Sequence, residues 1–149
     1  MGAFSGPGAG SLTTRWDGTA WKLISSPNPN GASSLSAVAA TSASNAWAAG
    51  RSANGARDNN LVLHWNGTAW HQATTPNPGV DSSLFGAAAT SASNAWAVGF
   101  YETRGLADGT QILHWNGSAW QRAITPNPGV HNLLYGAAAT SPSKCLGRG

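Results

Sequence analysis

The sequence predicts an all-β chain made by tandem copying of one four-stranded unit. Three observations predict it: a tryptophan motif at a constant interval, an Asn-Gly dipeptide between β-rich runs, and almost no helical periodicity. The motif reads RWDGTAW from Arg15, HWNGTAW from His64 and HWNGSAW from His114, intervals of 49 and 50 residues. After each copy comes a proline turn, SPNPN from Ser26 and TPNPG from Thr75 and Thr125. A small-residue run follows, LSAVAATSASN, LFGAAATSASN or LYGAAATSPSK. Self-similarity at a fixed period is the mark of a repeat architecture.

Within one unit, LVLHW from Leu61 and TAWHQAT flank Asn66-Gly67, the strongest short hairpin signal. With Asn66 and Gly67 as the two loop residues of a type I′ turn, Trp65 faces Thr68 and Leu63 faces Trp70. Side chains alternate along a strand, so Leu63, Trp65 and Trp70 share a face that must be buried, and Val62, His64 and Ala69 take the other. The second hairpin is LFGAAATSASNAWAVGF, turning at SASN, with Trp96 and Val98 on one side of its return strand.

Four-stranded units at a period of about fifty residues are the pattern of β-propeller blades. From Leu12 onward the succession SASNAWAVG, a variable loop and LHWNGTAW resembles the Trp-rich propeller repeats of bacterial secreted proteins, related in pattern to kelch and Asp-box blades. The resemblance implies that LFGAAAT is an inner strand, where blades converge on a channel and only Gly and Ala fit. It implies a blade rather than an activity, since propellers serve as lectins, enzymes, scaffolds and receptors alike.

The repeats make one domain, residues 1–149, cut out of phase. Residues 12–25 are the second half of a unit, 35–75 and 84–125 are whole units, and 134–149 are the first half of another. That is three blades' worth of sheet, and propellers typically need four to eight. The propeller reading therefore requires self-association, most simply a homodimer in which each terminal half-blade completes its partner's, giving six blades. The alternative is a β-trefoil monomer, which closes with three four-stranded units. The propeller is preferred because trefoil cores want bulky aliphatics where these repeats have GAAAT.

The tail departs from the pattern, with SPSKCLGRG standing where the earlier copies have SASNAWAAG and SASNAWAVG. One base inserted before NAWAVG codons yields a frame that can read Lys-Cys-Leu-Gly-Arg-Gly, the six residues Lys144 to Gly149. We hypothesise a frameshift origin, and a gene sequence that no single-base deletion restores to Asn-Ala-Trp would refute it. Leu146 then takes the place of Trp47 and Trp96, Arg148 that of Ala49 and Val98, and the final strand is expected to pair poorly.

Composition limits the function classes. Only 9% of residues are charged while eight are Trp, so the charge shortage is not that of a disordered chain. Net charge is +3, but the eight basic residues are scattered singly and two of them, Lys144 and Arg148, lie in the tail. No basic stripe for nucleic acid is present. Cys145 is the single cysteine, which excludes a disulfide framework and a cysteine metal cluster. No run of eighteen apolar residues suggests a membrane span, and MGAFSGPGAGSL lacks the features of a signal peptide. A soluble chain with neither membrane nor nucleic-acid partners is expected, although the resemblance implies secreted relatives.

The candidate site residues follow from this inventory. Large aromatics at structural positions belong first to the core, yet Trp47 and Trp96 also suit a platform on which sugar rings stack. His64 and His114 correspond to Arg15, and because arginine is no metal ligand neither a metal site nor a cofactor is expected. Asp17, Asp58, Asp81, Glu102 and Asp108 are all the acids, and no two recur at equivalent positions. No catalytic residues are expected, since paired carboxylates and a nucleophile elbow are both missing. The NGT and NGS triplets at Asn66 and Asn116 read as turns before glycosylation acceptors.

Two variable loops, RSANGARDNN and FYETRGLADGTQ, concentrate charge on a rigid scaffold, where binding residues tend to sit. They supply Arg51, Arg57, Asp58, Tyr101, Glu102, Arg104 and Asp108. The expected function is a non-catalytic, lectin-like module that binds glycans through repeated shallow sites. The alternative is a self-assembling repeat fragment with no selected ligand, and a propeller-type glycosidase or oxidase ranks behind both.

Overall fold

Two hairpin types alternate along the chain and stack into successive antiparallel sheets. The computed structural model describes residues 2–4, 10–105, 107–141 and 144–149. Met1 and residues 5–9 of the leader read as lacking a signal, Leu106 of the second variable loop, and Pro142–Ser143 of the last turn lie outside them. The strands are β1 (Gly2–Phe4), β2 (Gly10–Trp16), β3 (Trp21–Ile24), β4 (Ser33–Ser42), β5 (Asn45–Asn54), β6 (Arg57–Trp65), β7 (Trp70–Ala73), β8 (Asp81–Ser91), β9 (Asn94–Glu102), β10 (Asp108–Trp115), β11 (Trp120–Ala123), β12 (Gly136–Ser141) and β13 (Lys144–Arg148). They form two four-stranded meanders, β4 to β7 and β8 to β11, with β1-β2-β3 before them and β12-β13 after. The described residues are all-β, with a single 3-10 turn at Pro29–Gly31. The whole units thus begin at Ser33 and Asp81, two or three residues ahead of the positions expected from sequence.

The Asn-Gly hairpin is not a two-residue turn. Trp65 pairs with Trp70 and Leu63 with Gln72, which leaves a four-residue loop, 66–69. The cause is the Asn66 side chain, whose Oδ1 accepts from the backbone N–H groups of Thr68 and Ala69 at 3.0 and 2.9 Å. Such an Asx turn lengthens the loop, and Gly67 supplies the left-handed residue at φ +101°. Asn116 repeats the arrangement with Ser118 and Ala119. In the first copy Asp17 does so, and the amides of Ala20 and Thr19 hold its pKa down to about 2. Ala69 therefore lies in the loop, while Leu63, Trp65 and Trp70 do share a face.

That face is not the only buried one. Val62 is as buried as Leu63 because each whole sheet has neighbours on both sides. Across one joint, Trp47 of β5 packs on Trp115 and Trp120 of the next sheet, with ring centroids 5.0 and 5.1 Å apart. Ala49, Val62, Leu84, Ala95, Ala97 and Leu113 complete the cluster. On its other face Trp47 meets His64 at 4.3 Å. The first strands of successive units lie close: a Cβ on Gly86 of β8 would meet the Gly136 Cα of β12 at 2.9 Å.

The variable loops are shorter than expected. Arg51–Asn54 and Arg57–Asn60 pair with one another, leaving Gly55-Ala56 as the turn, and β9 continues to Glu102 opposite Asp108. The tail also departs from expectation. Instead of pairing poorly, β13 pairs with β12 in the regular register, Ala138 with Leu146 as Ala88 with Trp96 and Ala39 with Trp47. Backbone hydrogen bonds do not depend on side-chain identity. What is lost is burial, for Leu146 is 74% exposed where Trp47 is 3% exposed.

The PNP turns strap each unit's fourth strand back to its third. Asn77 Oδ1 accepts from the Asn60 N–H at 2.7 Å, and Asn127 Oδ1 accepts from the Thr110 N–H at 2.6 Å. These bonds satisfy amides at the outer end of β6 and β10 that would otherwise be left without partners.

Candidate functional site

Three of the predicted site residues meet in one cleft between the two whole sheets. Arg51 of β5, Asp58 at the start of β6 and Glu102 at the end of β9 line it together with Asp81, Phe85 and Phe100. Its volume is about 640 Å³. The Arg51 guanidinium is hydrogen-bonded to the Asp58 carboxylate, and the Asp58 N–H donates to Asp81 Oδ1 at 2.6 Å, tying one sheet to the next. Asp81 pairs across the ladder with Glu102. The register makes Asp58 and Asp108 equivalent, opposite Ala53 and Glu102, which corrects the expectation that no two acids recur. Asp108 faces His131 there, Oδ2 to Nδ1 at 2.8 Å.

A stack of aromatics borders this cleft. Phe100 and Phe85 lie 5.6 Å apart at 21°, and Phe85 and Tyr135 lie 5.4 Å apart at 19°. Tyr135 is 60% exposed. Phe85 is the extra residue of a bulge, since Leu84 pairs with Gly99 and Gly86 with Val98, and a bulge re-aims the side chain it carries. Sequence reasoning passed over Phe85, Phe100 and Tyr135. The available signal was variability at one position of a strict repeat, Ser36, Phe85 and Tyr135 in successive copies.

The remaining candidates are dispersed. Trp47 is enclosed between sheets, so its ring offers no ligand surface in this chain. Trp96 is half-buried and stacked on His114 at 3.9 Å. Tyr101 packs under the Arg122 guanidinium at 4.3 Å, Arg57 begins β6, and Arg104 is exposed in the turn after β9. Among the described residues no three His, Cys, Asp or Glu side chains gather to hold a metal ion. No family model matches the chain, and no curated protein matches it.

The two repeated histidines are structural partners of the tryptophans. His64 Nε2 meets Asn45 Oδ1 at 2.8 Å and His114 Nε2 meets Asn94 Oδ1 at 2.7 Å. Burial lowers the pKa of both, with His71 adding to the effect on His64. A histidine whose folded pKa lies below the unfolded value contributes stability that is fully present above about pH 6.5 and is lost as pH falls through that window. Thermal unfolding should therefore shift to lower temperature between pH 7 and pH 5. A His64→Gln, His114→Gln double variant should lose most of that dependence.

Proposed function

We propose that the chain is a non-catalytic, sugar-binding module built of β-propeller blades. The consecutive strand order within each whole sheet and the close approach of β4, β8 and β12 support blades rather than a trefoil, whose barrel needs pairing between units. The observation that carries the binding reading is the Phe100–Phe85–Tyr135 stack beside Arg51, Asp58, Asp81 and Glu102. A flat apolar surface suits the C–H face of a sugar ring, and adjacent carboxylates and a guanidinium suit its hydroxyls. With Asp58 committed to Arg51, the cleft favours holding a ligand over transferring protons. Ser36 and Arg51 stand where the second unit has Phe85 and Phe100, so the stack forms at one joint per chain and further valency has to come from assembly.

A glycan array followed by titration tests the reading. Phe85→Ala should weaken binding of the selected glycan by roughly tenfold, about 1.4 kcal/mol, with the fold intact. A folded protein that binds nothing on the array would overturn it in favour of a self-assembling repeat fragment with no selected ligand.

A further inference from the structure

The first and last strands, β1 and β13, match complementary halves of one unit's second strand. At the C-terminal end β13 reproduces the first half of a unit's second strand, Lys144 to Arg148 matching Asn94 to Val98 in register. At the N-terminal end β1 reproduces the second half. Gly2 pairs with Leu12 as Gly50 pairs with Leu61 and Gly99 with Gln111. The position where the halves meet is glycine in every copy. A Cβ on Gly50, Gly99 or Gly149 would meet the carbonyl oxygen of Ser34, Ser83 or Leu133 at 2.0, 1.9 or 2.7 Å. Among the described residues β1 covers β2 only from Gly10 to Leu12, which leaves Thr13 to Trp16 an open edge on that side, and β13 has one on the side away from β12.

A groove adjoins that open edge, with the Arg15 guanidinium over the Trp65 ring, 5.6 Å from its centroid. Within the chain, Trp47 sits among Ala87, Ala89, Ala95, Trp115 and Trp120 of the following sheet. Their counterparts one unit earlier are Val38, Ala40, Ala46, Trp65 and Trp70, and these line a groove of about 370 Å³. The residue that would enter it belongs to the second strand of the preceding sheet, the strand whose halves β13 and β1 match. Its counterpart is Leu146. Four of the exposed large apolar residues lie on these elements: Trp16 at 50%, Trp21 at 68%, and Val38 and Leu146 also exposed.

We infer that a second copy of this chain docks β13 along Thr13–Trp16 of β2, making a composite four-stranded sheet and placing Leu146 in the Trp65–Trp70 groove. The register is fixed by the internal ladders, in which Ala46 pairs with Trp65 and Ala95 with Trp115. Cys145 of one copy therefore lies opposite Trp16 of the other, and Leu146 opposite Arg15. Leucine fills less of the socket than tryptophan does. Lys144 and Arg15 also stand where Asn94 and His114 share a hydrogen bond, so the joint carries a like-charge pair that added salt screens. The inference rests on strand register and does not depend on the sugar reading.

Because Cys145 is the only cysteine, one substitution tests the register. Directly opposed residues in an antiparallel ladder have Cα atoms about 4.5 or 5.5 Å apart, within disulfide reach. Under mild oxidation Trp16→Cys should give a covalent species of two or more copies, and Arg15→Cys, whose side chain points to the other face, should not. The unmodified chain should run in light scattering at a multiple of 15.1 kDa, two copies for six sheets or three for nine. A folded monomer at micromolar concentration, or equal cross-linking of both cysteine variants, would overturn the inference. Should Trp16→Cys fail to fold, Leu146→Trp decides instead. It should tighten self-association at least tenfold, and an unchanged association constant would count against the joint.

Discussion

Replacing Trp47 with alanine is expected to lower the unfolding free energy by about 3–5 kcal/mol, the cost of removing a large aromatic from a packed interior. Urea titration followed by tryptophan fluorescence reads the change directly. The effect is large because Trp47 belongs to one sheet and two of the three rings it meets belong to another. Its ring lies between His64 on one side and the Trp115–Trp120 pair on the other. Alanine would leave a void at the joint that two stiff sheets cannot collapse to fill. Phenylalanine at the same place should cost much less, since the Trp47 indole N–H finds no acceptor among the described residues. At position 65 the same exchange should be worse, because the Trp65 indole donates to the Ala43 carbonyl at 3.0 Å.

Gly99→Ala should be comparably damaging for a different reason. A Cβ there would meet the Ser83 carbonyl oxygen at 1.9 Å and the Leu84 Cα at 2.8 Å. Both are backbone atoms, so no side chain can swing aside. The close approach is made by the bulge that inserts Phe85 between paired residues, which pushes the first strand toward the second. Relief requires undoing the bulge, at about 3 kcal/mol or more by comparison with overpacked cores. It would also turn Phe85 away from Phe100. Calorimetry should show a lowered unfolding temperature, and glycan binding should fall with it. Gly105→Ala, in the exposed turn after β9 where Thr103 Oγ1 at 3.8 Å is the sole near atom among the described residues, serves as the control that leaves both unchanged.

The repeat made the sheets legible. The Trp motif and the SASN turn mark hairpins whose spacing leaves room for little except four antiparallel strands, and β4 to β11 follow that plan. Register was less legible, because it depends on whether Asn66 caps the loop with its side chain, and an Asn-Gly dipeptide permits both outcomes. The extent of β5 and β6 was hidden for a related reason. RSANGARD reads as a loop by composition, yet residues of low strand propensity are carried into strand when their backbones pair. Burial of Val62 could not be read from one unit, since it comes from the sheet stacked beside it. The candidate cleft was half legible. Charge marked Arg51, Asp58 and Glu102, but Phe85 looked like an ordinary inner-strand residue because nothing local announces a bulge.

The pairing of β13 bears on how repeat chains tolerate errors. Five of the six residues from Lys144 onward differ from the second unit, the last glycine being shared, and still the strand lies where its predecessors lie. Its position is set by the carbonyls and amides of β12, which any L-amino acid other than proline can answer. The changed residues of β13 therefore cost packing, with Leu146 exposed where Trp47 is buried, and leave the strand pairing in place. Strand position and side-chain packing are thus set separately here, the first by the backbone of β12 and the second by what each side chain meets across the joint.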